Sequence, residues 1–128
     1  MKTQEFLSHD HFARLIGSEL TEVGDGTAKA RMLVDDRHLN GNGVCQGGAI
    51  FALADFALAA ALNSHELNAV SVNSSIAFIN PAPQGWLYAD ARVVVDHHRL
   101  PFGEVRITHE NGTIVAVVTG SGYKRRKA

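Results

Sequence analysis

A single cysteine, Cys45, stands among 128 residues. A lone thiol cannot build an internal disulfide framework, and it fits a reducing compartment. An excess of one charge is also missing, since the 12 Lys and Arg against 13 Asp and Glu leave a net charge of −1. A general nucleic-acid binder needs a basic face, and this balance argues against one. No apolar run reaches the roughly 20 residues that a membrane-spanning helix requires. No basic start followed by an apolar stretch marks a secretion signal. Repeats, linkers and low-complexity segments are absent as well. What remains is 45% hydrophobic, enough for one core. The expectation is a single cytoplasmic domain over residues 1–128, without membrane or nucleic-acid partners.

Caps and turns divide the chain. Ser8 and Asp10 are candidate caps for a short helix that carries Phe12, Leu15 and Ile16 and stops at Gly17. Two strand-like runs within 19–34 flank Gly24-Asp25-Gly26 and read as a hairpin. The second run alternates Ala28, Ala30, Met32 and Val34 with Lys29 and Arg31. Further strands are expected over 69–79, 86–96, 104–109 and 113–123. Asn80-Pro81-Ala82-Pro83 ends the first of these, and Glu110-Asn111-Gly112 is a turn between the last two. In the strand over 86–96, Leu87, Ala89, Ala91, Val93 and Val95 share one face.

Between hairpin and strands lies HLNGNGVCQGGAIFALADFALAAALN, from His38 to Asn63. It begins as a glycine-rich loop and becomes a helix that is apolar nearly all round, through Ile50, Phe51, Leu53, Ala54, Phe56, Leu58, Ala61 and Leu62. The economical packing is a curved antiparallel sheet wrapped about this helix, an α+β domain. A second subunit is expected to complete its cover, because Ala49, Ala52, Ala54, Ala57, Ala59 and Ala60 would let another backbone come close.

One carboxylate, Asp55, interrupts the apolar helix. Burying an unpaired carboxylate costs several kcal/mol, so Asp55 needs either a structural partner or a chemical task. The helix also starts at Gly47-Gly48. Glycines there leave the first-turn N–H groups unshielded, and the helix dipole adds about half a positive charge at that end. Such an end suits a carbonyl oxygen that is gaining negative charge.

With its loop asparagine, glycine pair and aspartate eight residues after the first of those glycines, HLNGNGVCQGGAIFALAD resembles the signature of hotdog-fold acyl-CoA thioesterases, in particular the phenylacetate-degradation (PaaI-type) branch. The likeness covers nearly the whole chain. It implies a hotdog fold and hydrolysis of aryl-acetyl or short- to medium-chain acyl-CoA, with coenzyme A entering as part of the substrate and no separate cofactor. By position, Asp55 resembles the catalytic carboxylate, acting as nucleophile or as base for water. Gly47 resembles the residue whose N–H polarises the thioester, Asn40 the loop asparagine near the reacting centre, and Ser71 a water-positioning hydroxyl. Gln46 stands where the family usually has histidine. A histidine that only shaped the loop or met the acyl carbonyl could be replaced by glutamine, whereas a proton-transferring one could not. Gln46 and Gly48 are expected beside the substrate. Arg99 and Arg125, the latter in the basic tail Lys124-Arg125-Arg126-Lys127, are candidates for the coenzyme A phosphates.

Plainer readings stand beside these. Asp55 could pair with a core arginine, Asn40 and Ser71 could be ordinary turn and strand residues, and the basic tail could simply be solvated. Cys45 has no marked histidine partner and reads as a packed small residue. His9/His11 and His97-His98 form no recognised ligand pattern, and HELN is not H-E-x-x-H, so no metal is expected. A non-catalytic acyl-CoA-binding domain is the alternative function, and a hydratase on the same fold a lesser one. Helix geometry adds an expectation about assembly. Eight residues separate Gly47 from Asp55, or about 12 Å along the axis, whereas reacting atoms must approach within about 3.5 Å. An antiparallel helix from a partner subunit would bring its Asp55 opposite Gly47. This predicts a two-fold homodimer with composite sites, with further pairing to a homotetramer as in relatives.

Overall fold

The computed structural model describes residues 3–126. Two short helices, α1 (Thr3–Leu7) and α2 (His11–Ile16), lead into the hairpin of β1 (Ser18–Gly24) and β2 (Thr27–Val34). A 3₁₀ turn (Asp36–His38) and a loop precede α3 (Gly47–Leu62). Strands β3 (Ala69–Phe78), β4 (Gly85–Val95), β5 (Phe102–His109) and β6 (Ile114–Lys124) complete the chain. All six strands form one antiparallel sheet in the order β1-β2-β4-β5-β6-β3, with α3 packed against it. This is the expected α+β arrangement of sheet and helix.

Local chemistry accounts for the boundaries. Asp10 caps α2 by accepting the Ala13 N–H at 3.0 Å, and Gly17 closes the helix in the left-handed region at φ 79°. Ser8 is not a cap, because its hydroxyl turns back to donate to the Glu5 carbonyl. The helix α1 ahead of it was not anticipated from the sequence. Ala28, Ala30, Met32 and Val34 are all buried, as their alternation predicts. On β4 the alternation holds through Leu87, Ala89 and Ala91, but Val95 is 52% exposed. A register shift between Val93 and Val95 turns it outward, so the expected inner face ends one step early.

Helix α3 is seated deeply because two strands give way to it. A Cβ on Gly103 would come 2.7 Å from Leu58 Cδ1, and one on Gly120 would come 3.1 Å from Leu58 Cδ2. Glycine on two adjacent strands therefore makes the hole that Leu58 fills. The helix is nevertheless open along one stripe. Asp55 and Gly48 are exposed and Phe51, Ala52 and Ala59 half-buried, while Leu53, Ala54, Ala57 and Ala60 are fully buried. Among the described residues, strand β3 is an edge that pairs with β6 alone, and none of its residues is buried.

Candidate active site

The loop entering α3 is tied at several points. The Gln46 N–H donates to the His38 carbonyl and the Cys45 N–H to the Ala82 carbonyl, each at 2.8 Å. His38 is buried, with Nδ1 accepting the Asp35 N–H at 3.0 Å and Nε2 2.6 Å from the Ile16 carbonyl. It is structural. Asn40 organises the loop itself: its Oδ1 accepts the N–H groups of Asn42 at 2.9 Å and Val44 at 3.3 Å. That is an Asx-type turn, so its oxygen is spent on local structure. Cys45 is buried, and burial pushes its thiol up to about 11, which leaves it inert as a nucleophile at neutral pH.

Gln46 is the N-cap of α3. Its Oε1 accepts from the Gly48 N–H at 2.5 Å and the Ala49 N–H at 3.2 Å. A Cβ on Gly48 would stand 2.6 Å from that oxygen, so glycine is what lets the cap close. The Gln46 carbonyl takes the Ala49 and Ile50 N–H groups. Of the four first-turn donors, only the Gly47 N–H is left without an acceptor among the described residues. It sits half-buried at the positive end of the helix.

Asp55 differs from expectation. It lies on the open stripe of α3 rather than in the core, exposed in the single chain because its helix face points away from the sheet. No arginine or other residue among those described forms an ion pair or hydrogen bond with it. Atoms crowded beside it nevertheless withdraw water, and this desolvation raises its proton affinity above the usual carboxylate value, with the negative charge of Asp10 adding to the rise. Asp10 was legible only as a helix cap, since nothing in its local sequence ties it to Asp55.

The remaining candidates divide between the two ends of α3, about 24 Å apart for 16 residues. Gly47, Gln46, Gly48 and the Asn40 loop occupy one end. Ser71 lies at the other, since seven residues of extended strand, about 23 Å, separate it from Phe78, whose ring touches Gly47. Ser71 is exposed, with Oγ 3.3 Å from Ser74 Oγ. Arg99 and Arg125 also lie at that far end, where the Lys124 N–H donates to the Arg99 carbonyl and the Arg125 N–H to the Asn68 carbonyl, each at 2.8 Å. A cavity of about 500 Å³ opens there, bordered by Leu62, His65, Asp96 and Lys124. One chain thus has the unpaired Gly47 N–H at one end of α3, the arginines and Ser71 at the other, and Asp55 between. Among the described residues no three His, Cys, Asp or Glu are grouped to hold a metal. Lys127 of the basic tail lies outside the described residues.

A single antiparallel sheet curved around one long central helix defines the hotdog class. The family model described as "Thioesterase superfamily" matches residues 42–116, from the glycine-rich loop into β6. The chain belongs to this superfamily. It is 32% identical over 117 residues to the acyl-coenzyme A thioesterase PaaI of Escherichia coli K12, covering 91% of this chain and 84% of the relative. A putative esterase of Archaeoglobus fulgidus is equally similar, at 32% over 117 residues, covering 91% and 76%. The solved structure of the E. coli PaaI protein from the phenylacetic acid degradation operon superimposes with a TM-score of 0.90 at 28% identity, covering 97% of this chain and 91% of that one.

Proposed function

We propose that this thioesterase-superfamily enzyme hydrolyses acyl-coenzyme A, in particular aryl-acetyl or short- to medium-chain acyl thioesters, to the free acid and coenzyme A. One observation carries the reading: among the described residues, the Gly47 N–H is the single unpaired donor of the first turn of α3, on the same helix whose Asp55 faces outward with no partner among them. The thioester oxygen docks on the Gly47 N–H, which stabilises the developing oxyanion by about 3 kcal/mol for one good donor. Asp55 of a second subunit then attacks the carbonyl carbon, or takes a proton from the water that does. On the first route the thiolate leaves and water cleaves the resulting anhydride. On the second the tetrahedral intermediate expels the thiolate, and both routes end in carboxylic acid and thiol. Asn40 shapes the loop beside the donor, and Ser71 positions water. Arg99 and Arg125 hold coenzyme A phosphates, and no cofactor beyond the substrate's own coenzyme A is needed.

Gln46 supports this assignment despite replacing a histidine. Its carbonyl oxygen is engaged as the helix cap, a shaping role that needs no titratable group. The name of the E. coli relative supports acyl-CoA as the substrate class. The test is release of free thiol from phenylacetyl-, hexanoyl- and acetyl-CoA by the purified protein. Turnover that scales with enzyme is expected. Tight binding without thiol release across the panel would instead identify a non-catalytic acyl-CoA-binding domain.

A further inference from the structure

The ring of Phe78 presses against the place where a side chain on residue 47 would begin. A Cβ built on Gly47 would meet Phe78 Cζ at 3.0 Å and Cε1 at 3.3 Å. Helical Cβ atoms tilt toward the N-terminus, so a ring tip at that point stands beside the first N–H of α3. Phe78 is 54% exposed, a large apolar group left open next to an unpaired donor. It is also firmly held. The Ile79 N–H donates to the Val115 carbonyl at 2.8 Å, the Asn80 N–H to the same carbonyl at 3.2 Å, and Asn80 Nδ2 to the Ile114 carbonyl at 2.8 Å. Two residues further on, the Ala82 carbonyl accepts the Cys45 N–H of the loop that enters α3. The segment carrying Phe78 is therefore stapled to β6 on one side and to the Gly47 loop on the other.

We infer that Phe78 is the acyl-recognition residue of this site, its ring forming the apolar wall against which the acyl group of the thioester packs. The inference rests on the proposed hydrolysis of acyl-CoA at Gly47. A carbonyl oxygen on the Gly47 N–H brings its two substituents alongside the ring. The pantetheine arm carries amides, and the acyl group is the apolar partner. An aromatic wall there rewards a phenyl ring or an alkyl chain and gives little to an acetyl methyl. It also gives glycine at residue 47 a reason: a Cβ there would press on the ring that receives the substrate and push it aside by a few tenths of an ångström.

The test compares kcat/KM for phenylacetyl-CoA, hexanoyl-CoA and acetyl-CoA in the parent, Phe78→Leu and Phe78→Ala. In Phe78→Ala the preference for phenylacetyl- and hexanoyl- over acetyl-CoA should fall by about tenfold or more, the range that hydrophobic pocket contacts discriminate. Phe78→Leu, which retains apolar bulk and serves if the alanine variant does not fold, should lower phenylacetyl-CoA selectivity while keeping more of the hexanoyl preference. Equal losses for all three substrates would overturn the inference and make Phe78 a packing residue of the helix end. If the parent releases no thiol from any of the three, the thioesterase reading itself fails, and this inference with it.

Discussion

At the scale of single residues, Asp55 carries the most weight. Its proton affinity is raised by desolvation first and by Asp10 second, and the sign of each consequence follows. A carboxylate whose folded pKa lies above its unfolded value makes the native state bind more protons, so stability falls as pH rises from the unfolded value through the folded one. Asp55 therefore works against folding at neutral pH. Asp55→Asn should keep the fold, with a melting temperature equal to or above the parent's, while turnover drops at least about a hundredfold because the amide can neither attack nor accept a proton. Near-parental thiol release by this variant would make Asp55 structural. With Asp55 as the catalytic carboxylate, the same shift should move the acidic limb of kcat/KM up from the pH of an unperturbed aspartate. Asp10→Asn preserves the cap on Ala13, since asparagine caps as well as aspartate. It removes the negative charge beside Asp55, so the acidic limb should move to lower pH. A limb that stays in place would show that the group controlling it is not coupled to Asp10.

At the scale of elements, α3 decides both stability and what the sequence reveals. Leu58 sits in the hole left by Gly103 and Gly120, which carry no side chain to fill a vacancy there. Leu58→Ala should therefore cost about 4 kcal/mol, toward the upper end of buried leucine truncations. A urea midpoint within experimental error of the parent's would mean that the helix relaxes into the gap. The hairpin of β1 and β2, the four later strands and α3 were all legible, because each shows its period over many residues and ends at a clear turn. Features set by tertiary context were not. Val95 continues the alternation in sequence, yet the register shift against β5 turns it outward. Asp55 reads as buried because its helix is apolar nearly all round, and only the single-sided sheet shows that one stripe stays open. At the site, Gly47, Gln46 and Asp55 stand out by spacing along one helix. Phe78 could not be found that way, since its contact with Gly47 spans 31 residues of chain and depends on how β3 returns past α3.

At the scale of the whole molecule, the proposed site residues of one chain are spread along α3 rather than gathered at one point. Asp55 is about 12 Å along the axis from the Gly47 donor and Phe78, and Ser71 and the two arginines lie farther still from that donor, at the other end of α3. The open stripe of Gly48, Phe51, Ala52, Asp55 and Ala59, beside an edge strand with Val70 and Val72 exposed, is where an antiparallel copy would complete both sites. Complementation tests this directly. Asp55→Asn disables one half-site. Gly47→Pro removes the N–H of the other and suits the backbone: Gln46 at φ −64°, ψ 136° has the conformation favoured before proline, and Gly47 does not have a positive φ. The proline Cβ would meet the tip of Phe78 at 3.0 Å, so the ring must yield by a few tenths of an ångström, and circular dichroism should establish the fold first. Each variant alone should be inactive. Random re-pairing of equal amounts should leave half the dimers mixed, each with one intact and one doubly disabled site, and so recover about a quarter of the parental activity. Mixed dimers isolated by dual affinity tags that remain inactive would place each site within a single chain.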